Sequence, residues 1–256
     1  MLASVDGAIG PADQARIPVT EEGLLRGDGG FDALRLYGGR PCALPAHLKR
    51  FERTCAGLRL TVDHDALQGE IHAMLDAAGP VDGVLRFYAT RGGRRIVLVE
   101  ALPHRPAIAR LATVRYAPNR VTDGLKTLSY AANMLALRLA QEQGYDDAVL
   151  VTPHGRVLEG ATSSFFWARE GVLRTPPLED RIFESITRTL LIEHAGAVEA
   201  PTTLDALQGA EEAFLASSVR DVQPVARIDD LQLAAAPGPV TLQAHAALRE
   251  AIQREL

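Results

Sequence analysis

The pattern of apolar and polar positions predicts alternating strands and helices in the first hundred residues. Residues 31–37 form an apolar run after a glycine-rich bend, which is typical of a strand. Over residues 46–58, apolar side chains recur at spacings of three to four, the period of an amphipathic helix. Asp63 is placed to cap a second helix that continues to Ala77. Residues 84–90 and 95–99, separated by a glycine pair, predict a tight hairpin.

The two prolines at positions 103 and 106 interrupt either kind of regular structure, so we place a domain boundary there. A chain of 256 residues also exceeds the usual size of a single core. We therefore predict an N-terminal domain at 1–104, an interdomain linker at 105–112 and a C-terminal domain at 113–256.

The second half is also predicted to mix strands and helices. A helix over residues 127–143 carries Leu128, Ala131, Leu135 and Leu139 on one face, with Gly144 at the C-cap. Strands are predicted at 111–116, 147–152, 164–168 and 213–217, and further helices at 186–194 and 240–256.

Composition excludes several classes of protein. Hydrophobic residues make up 47% of the chain and charged residues 23%, as in an ordinary globular protein. A net charge of −5 gives no general attraction to nucleic acid or anionic membranes, and no apolar span is long enough to cross a bilayer. Cys42 and Cys55 are too few for a disulfide framework. We expect a cytoplasmic protein that binds neither nucleic acid nor membrane.

Missing motifs narrow the chemistry further. The seven histidines lack the paired helical spacing of a zinc enzyme, so no catalytic metal is expected. The chain has no G-x-S-x-G elbow, no Walker loop and no G-x-G-x-x-G segment that opens a helix. A plain hydrolase, a kinase and a Rossmann dehydrogenase are therefore disfavoured.

Two ionisable residues could carry chemistry of another kind. Lys126 is placed just before the helix predicted at 127–143, where an amine that loses its proton readily can act as a nucleophile. Glu159 follows a predicted strand and turn, and it precedes a run of small polar residues. A buried carboxylate there needs a cationic partner. Each also has a simpler interpretation, as a solvated lysine at a domain edge and as a surface glutamate paired with Arg156.

Hydroxyl groups and an arginine could bind a phosphate. Ser185 and Thr187 open a predicted helix, Ser217 and Ser218 end a predicted strand, and Arg50 lies in a helical turn. Each of these could equally be an N-cap, a turn residue or a surface charge. Together they supply the groups that a phosphate requires.

Several segments in a fixed order resemble those of one enzyme family. The segments are L-K-T-L-S-Y-A-A-N-M-L-A, V-L-E-G-A-T-S-S-F-F, S-I-T-R and A-F-L-A-S-S-V-R-D-V-Q-P-V, preceded by R-G-D-G-G-F-D-A-L-R and A-H-L-K-R-F. Over residues 20–226 the chain resembles the fold type IV pyridoxal phosphate enzymes, or class IV aminotransferases. These include branched-chain and D-amino acid aminotransferases, (R)-amine transaminases and 4-amino-4-deoxychorismate lyases.

The resemblance implies a fold and a cofactor. It implies an α+β protein with a smaller N-terminal α/β domain and a larger, β-rich, barrel-like C-terminal domain with flanking helices. It also implies pyridoxal 5′-phosphate, amino acid or amine and keto acid substrates, and a homodimer.

The resemblance also implies residue roles. Lys126 is similar to the lysine that forms a Schiff base with the cofactor, and Glu159 to the partner of the pyridine nitrogen. The remaining cofactor-binding residues that it implies are Arg50, Tyr130, Ser163, Phe183, Ile186, Thr187, Ser217 and Ser218. Ser164 stands where many members of the family have asparagine.

Arginines and aromatic residues in the first half are the substrate candidates. Arg86 falls where branched-chain enzymes carry an arginine, so we expect it to contact the substrate carboxylate, with Phe31 and Tyr88 beside it. Arg26 could contribute from a neighbouring subunit. Ala33 stands where the lyases tend to have a hydroxyl, which favours a transaminase for D-amino acids or (R)-amines. The lyase and the branched-chain L-amino acid aminotransferase remain alternatives. A non-catalytic domain would need neither Lys126 nor Glu159.

Overall fold

A computed structural model describes residues Met1–Leu256, which divide into two compact units. Unit 1 comprises Met1–His104, Leu125–Tyr130 and Glu255–Leu256, and unit 2 comprises Arg105–Gly124 and Ala131–Arg254. No helix is both long enough and apolar enough to cross a membrane.

Unit 1 contains a six-stranded antiparallel sheet in the order β2-β1-β6-β5-β3-β4. Its strands are β1 (Leu2–Val5), β2 (Ala8–Pro11), β3 (Gly29–Tyr37), β4 (Arg40–Pro41), β5 (Gly83–Thr90) and β6 (Arg95–Glu100). Its helices are α1 (Glu22–Arg26), α2 (Leu44–Gly57) and α3 (His64–Ala78). The hairpin and the two amphipathic helices expected from the sequence are therefore present. Asp63 caps α3 as predicted, because its carboxylate accepts a hydrogen bond of 2.9 Å from the Ala66 N–H.

The two faces of this sheet differ in chemistry. Side chains alternate across a strand, so Leu34 on β3 and Phe87 on β5 point to the face that packs against α2 and α3. Phe51 and Ile71 complete that core from the helices. We call the opposite face the second face. The register of β3 and β5 places Phe31 opposite Tyr88 and Ala33 opposite Arg86, and all four project from the second face.

Unit 2 contains a nine-stranded sheet in the order β12-β11-β10-β13-β14-β7-β8-β9, with β15 paired to β14. Its strands are β7 (Ala109–Arg115), β8 (Asp147–Val151), β9 (Val157–Gly160), β10 (Ser164–Arg169), β11 (Val172–Thr175), β12 (Val198–Glu199), β13 (Glu212–Ser217), β14 (Asp221–Ile228) and β15 (Leu231–Gln232). Its helices are α4 (Ala131–Glu142), α5 (Ile186–Ala195), α6 (Leu204–Leu207) and α7 (Pro239–Glu255), the last of which ends in unit 1.

Strand β8 is buried along its whole length because both faces of the sheet are covered. Val149 and Val151 belong to one apolar cluster, whereas Ala148 and Leu150 belong to the other. A continuous apolar strand is the pattern that such double burial requires. The expected α+β class is confirmed by the helices and sheets of both units.

Three details of the second half correct the sequence analysis. Residues from Ala109 onward belong to β7, although the linker was predicted to reach residue 112. Leu125–Tyr130 groups with unit 1, although it was placed in the C-terminal domain. Helix α4 begins at Ala131 rather than at Thr127, because Thr127 forms a β-bridge with Gly30.

The buried face of α4 also differs from the prediction. Ala136 and Ala140 are buried, whereas Leu135 and Leu139 are 50% and 39% exposed. The two alanines pack in one cluster with Ala112 and Ala148 on the sheet. Small side chains let the helix approach the strands closely, so the alanines rather than the leucines define the buried face.

Candidate active site

Lys126 lies in an extended segment that pairs with the start of β3. The Phe31 N–H donates to the Lys126 carbonyl at 3.0 Å, and the Leu128 N–H donates to the Gly29 carbonyl at 2.8 Å. The Lys126 N–H donates to Thr54 Oγ1 on α2 at 3.2 Å. The prediction that Lys126 stands at a helix start is wrong. Three hydrogen bonds from β3 and α2 fix its backbone instead.

The glycines before β3 make this pairing possible. A Cβ on Gly29 would lie 2.5 Å from the Ala89 carbonyl oxygen and 2.6 Å from Leu128 Cδ1. A Cβ on Gly30 would lie 2.8 Å from Thr54 Cγ2. No larger residue fits at either position without moving the lysine segment or its neighbours.

Aromatic rings flank the Lys126 amine. Its Nζ lies 4.5 Å from the centroid of the Phe31 ring and 5.6 Å from that of Tyr130. The Phe31 ring packs edge-on against Tyr130 and is stacked with Tyr88, with centroids 5.3 and 6.0 Å apart. Phe31, Tyr88 and Tyr130, which were assigned to substrate or cofactor, are therefore brought together around the amine. The rings limit the access of water to the amine.

Arg86 is held by an acidic partner. Its Nε donates to Glu100 Oε1 on β6, and each side chain is a little under one third exposed. Burial raises the pKa of Tyr88, which the charge of Arg86 lowers and that of Glu100 raises. Sequence reasoning identified Arg86 but missed Glu100, because only the register of β5 and β6 brings the two together.

Arg50 belongs to a buried polar network in unit 1. Its Nε and Nη2 donate to Asp32 at 2.9 and 2.7 Å, and His47 Nδ1 lies 2.8 Å from the same carboxylate. The pKa of Asp32 is far below its usual value: burial raises it, but His47 and Arg50 lower it by more. The pKa of His47 is also lowered, chiefly by burial, although the neighbouring Asp32 carboxylate raises it. The sequence analysis did not identify Asp32, although one charged residue within an apolar strand pattern signals a buried partner.

Glu159 lies in β9 of unit 2 and is half-buried. Its Oε1 accepts a hydrogen bond of 3.1 Å from the Phe183 N–H, which fixes the carboxylate. Burial raises the pKa of Tyr116, and the negative charge of Glu159 raises it further, so Tyr116 lies near that charge. Arg156, the alternative partner considered for Glu159, forms a salt bridge of 3.0 Å with Asp180.

Hydroxyl groups gather at the start of α5. Ser185 caps this helix by accepting from the Arg188 N–H, and Thr187 Oγ1 lies 3.3 Å from Ser218 Oγ. Ser217 Oγ accepts from the Arg220 N–H at 3.2 Å, which shapes the loop after β13. The N–H groups and partial positive charge of a helix start, together with two hydroxyls, form a site for an anion. Ile186 is the first residue of this helix.

Two other predicted site residues have different surroundings. Ser163 is buried in the turn before β10, and its Oγ has no hydrogen-bond partner. Arg26 lies at the end of α1, where it is exposed and pairs with Glu22 one helical turn away. Nothing in unit 1 directs Arg26 toward Lys126.

Comparisons with known proteins identify the family of this chain. The family model for amino-transferase class IV matches residues 29–228. A D-alanine aminotransferase from Bacillus licheniformis is 25% identical over 279 residues, covering 100% of this chain and 98% of that protein. An aminodeoxychorismate lyase from Bacillus subtilis (strain 168) is 29% identical over 250 residues, covering 86% of this chain and 84% of that protein.

Solved structures have the same fold. A hypothetical aminotransferase from Mycobacterium tuberculosis, in its PLP-bound form, has a TM-score of 0.90 at 25% identity, covering 100% of both chains. A branched-chain aminotransferase from Thermoproteus uzoniensis, solved with norvaline, has a TM-score of 0.89 at 26% identity, covering 100% of this chain and 96% of that one.

The fold and the family match define a pyridoxal phosphate enzyme of the α+β class. This chain belongs to the class IV aminotransferases, because their family model matches most of its length. The resemblance and the cofactor expected from the sequence are thereby confirmed, as is fold type IV.

Each unit, taken by itself, has residues that fit this cofactor. Lys126 offers an amine, and Glu159 offers a carboxylate oriented by a backbone N–H. The hydroxyls of Thr187 and Ser218 at the start of α5 suit a phosphate dianion. The buried, unpaired Ser163 Oγ is a further polar group that a ligand would satisfy.

The phosphate assignment predicts the effect of two hydroxyl substitutions. In Thr187→Val and Ser218→Ala, we expect the affinity for pyridoxal phosphate to fall about 10-fold or more, since a hydrogen bond to a charged group contributes about 1.5–3 kcal/mol. Affinity for pyridoxal, which lacks the phosphate, should be unchanged. Absorption titration of the cofactor-free protein measures both. Thr189→Val, which removes an exposed hydroxyl from the same helix, is the control. Equal losses for both aldehydes would contradict the assignment.

Proposed function

We propose that this protein is a pyridoxal phosphate-dependent transaminase that moves an amino group from a D-amino acid or (R)-amine to a 2-keto acid. The observation that carries the choice of reaction is Ala33. It lies opposite Arg86 on the second face of the unit 1 sheet, two residues from Phe31. The lyases that this chain resembles tend to have a hydroxyl at that position. Ala33 offers no group that could donate or accept a proton there.

Transamination requires a single base, and Lys126 supplies it. Pyridoxal phosphate, when bound, would supply an aldehyde for attachment to this amine and a ring that withdraws electrons from the substrate Cα. Lys126 would hold the cofactor and, as a free amine, would accept and return the proton that leaves the substrate Cα. Its hydrogen-bonded backbone and the flanking ring of Phe31 restrict the position of Nζ.

The remaining residues bind and orient. Glu159 would hold the pyridine nitrogen of the cofactor in its protonated form, since a fixed carboxylate favours the charged ring. Thr187 and Ser218 are proposed to bind the phosphate, together with Arg50, Ile186 and Ser217. Ser163 and Phe183 are proposed to contact the cofactor ring. Arg86 is the proposed contact for the substrate carboxylate, with Phe31 and Tyr88 packing against the substrate. Arg26 is proposed to act from the partner in a homodimer.

Two alternatives have specific support. The aminodeoxychorismate lyase from Bacillus subtilis is as similar to this chain as any relative named above. The branched-chain aminotransferase from Thermoproteus uzoniensis shares the whole fold, and Arg86 stands where such enzymes carry an arginine. The D-alanine aminotransferase from Bacillus licheniformis, whose similarity extends over the entire chain, supports the proposed transaminase function.

Half-reactions with single donors test the proposal. The reconstituted protein is mixed with D-alanine, (R)-1-phenylethylamine, L-leucine or aminodeoxychorismate, without an acceptor, and its visible absorption is followed. We expect D-alanine or the (R)-amine to bleach the band, with one keto product per site. L-Alanine and (S)-1-phenylethylamine are the stereochemical controls. Reaction with L-leucine alone would establish the branched-chain alternative. Pyruvate and 4-aminobenzoate formed from aminodeoxychorismate, with no other reaction, would establish the lyase.

A further inference from the structure

The segment that carries Lys126 lies directly against glycines of unit 1. A Cβ on Gly57, at the end of α2, would lie 2.6 Å from Leu125 Cδ2. A Cβ on Gly27 would lie 2.7 Å from Ser129 Oγ. Neither distance leaves room for a side chain, so close packing sets the path of the segment on both sides of the lysine.

Thr54 of α2 contacts the segment at the lysine itself. The Lys126 N–H donates to Thr54 Oγ1 at 3.2 Å, and the Lys126 carbonyl accepts from the Phe31 N–H at 3.0 Å. The backbone of Lys126 is therefore held by two different elements, α2 and β3. Thr54 is 1% exposed, so water does not compete for its hydrogen bond.

The position of the Thr54 hydroxyl is fixed in its turn. Its methyl group, Cγ2, fills the space beside Gly30, where a Cβ would lie only 2.8 Å away. A β-branched side chain in a helix has few rotamers. Because the methyl group is held against β3, the hydroxyl faces the Lys126 N–H.

Helix α2 also carries charged groups that lie near the lysine. Arg50, which is proposed to bind the phosphate, precedes Thr54 by one turn, and both are buried. Burial is the main reason that the pKa of His47 is lowered, and the positive charges of Arg50 and Lys126 lower it further. The Lys126 amine therefore lies near this side of α2. A shift of the lysine backbone relative to Thr54 would move the amine relative to Arg50.

We infer that Thr54 is a positioning residue, which acts through the Lys126 backbone to hold the amine in place for its reaction with the cofactor aldehyde and for proton transfer. Displacing a reacting group by about 1 Å can lower a rate by roughly 10²-fold, so a bond that fixes the lysine backbone affects the rate. This inference rests on the proposed role of Lys126.

Three substitutions at position 54 separate the hydrogen bond from packing. Thr54→Ser keeps the hydroxyl and removes the methyl group, whereas Thr54→Ala removes both. Thr54→Val keeps the shape but replaces the hydroxyl, 3.2 Å from the Lys126 nitrogen, with a methyl group. A carbon atom prefers a separation of roughly 3.5–4.0 Å, so valine also pushes the segment away.

The rates should follow this order. Pyridoxal phosphate is added to the cofactor-free protein, and the rate constant for appearance of the visible band is measured, followed by kcat and KM with the best donor. We expect both rates to fall about 10-fold or more in Thr54→Val, by less in Thr54→Ala, and to stay within about twofold of wild type in Thr54→Ser. KM should change less than kcat, because Thr54 does not touch the substrate.

The hydrogen bond can also be observed without cofactor. The chain has two lysines, Lys49 and Lys126, so protein made with isotope-labelled lysine gives two backbone amide signals by NMR. Hydrogen exchange of the Lys126 amide should be about 5-fold faster in Thr54→Ala and Thr54→Val, since an ordinary hydrogen bond corresponds to roughly this factor. It should be close to wild type in Thr54→Ser. The amide of Lys49, on the exposed side of α2, is the internal reference.

A matched control and three outcomes decide the role of Thr54. Thr61→Val removes an exposed hydroxyl just after α2 and should leave both measurements unchanged. The inference is overturned by band formation in Thr54→Val within about twofold of wild type, or by a Thr54→Ser no faster than Thr54→Ala. It is also overturned if exchange accelerates equally at Lys49 and Lys126, because the loss is then one of general stability. If the wild type shows no transamination, the proposed function fails, and band formation and amide exchange still decide the role of Thr54.

Discussion

Replacing Lys126 with alanine is expected to abolish covalent attachment of pyridoxal phosphate and to remove its visible absorption band. Turnover with the best donor should fall by roughly 10²–10⁴-fold from the loss of the base alone, and by more because the anchor is lost with it. Absorption spectra, the kcat of the purified variant and mass spectrometry after borohydride reduction measure these effects. In the wild type, the added mass should map to the peptide that contains Lys126.

The other lysine of the chain provides a control for this experiment. The chain contains only two lysines, Lys49 and Lys126. Lys49 is exposed on α2, so Lys49→Ala should retain the band, the labelled peptide and full turnover. If the band persists in Lys126→Ala and disappears in Lys49→Ala, the assignment of the anchoring lysine is wrong.

The surroundings of Lys126 show why its local structure could not be predicted from nearby residues. The segment after it has the apolar period of a helix, and α4 does follow. Its own conformation is set by pairing with β3, which lies almost a hundred residues earlier in the chain. Local periodicity contains no information about such a partner. The sequence shows the glycine-rich bend. Only the interatomic distances in the structure show that these glycines leave room for the segment that contains Lys126.

Elements stabilised by their own sequence were predicted more accurately. The N-cap Asp63 and the hairpin of β5 and β6 depend on residues close in sequence, and both are present in the structure. Helix α4 shows the limit of this reasoning. Leu135 and Leu139 suggested a buried face, but the close approach of the sheet selects Ala136 and Ala140. Apolar character alone does not tell which side of a helix meets a sheet.

The site residues also differ in whether the sequence alone could identify them. Lys126 and Glu159 were identified because an ordered set of motifs resembled a family, not because either position was informative alone. Asp32 and Glu100 were missed, since each acquires its role from a partner on another element. Motifs that resemble those of a family indicate the groups expected to contact the cofactor. Groups that hold those residues in place become visible only with the structure.

Replacing Asp32 with asparagine is expected to lower the free energy of unfolding by about 3–5 kcal/mol, the usual effect of removing one partner from a buried ion pair. Asp32 is fully buried and accepts hydrogen bonds from Arg50 and His47. The variant removes the carboxylate charge that faces the buried Arg50 guanidinium. Urea unfolding of the cofactor-free protein measures the change. Adding Arg50→Met should recover part of the loss because it removes the buried positive charge.

The pH dependence distinguishes loss of this charge from a general packing defect. The pKa of Asp32 is lowered in the folded protein, so its stabilising contribution is complete above its unfolded pKa of about 3.9 and is lost as the pH falls toward the folded value. The pKa of His47 is lowered in the folded protein, chiefly by burial, so acidification below about pH 6.5 destabilises both proteins by protonating the unfolded chain more than the folded one. Because Asp32 raises the pKa of His47, the variant should lose more stability than the wild type as the pH falls through the titration of His47. The difference between the two proteins should then shrink below about pH 4, as Asp32 is protonated. Asp230→Asn, which removes a fully exposed partner of Arg227, should leave stability unchanged. If Asp32→Asn lowers the free energy of unfolding by less than about 1 kcal/mol, the network does not stabilise unit 1 through its charge. The same conclusion follows if the stability difference from wild type does not change with pH down to about pH 2.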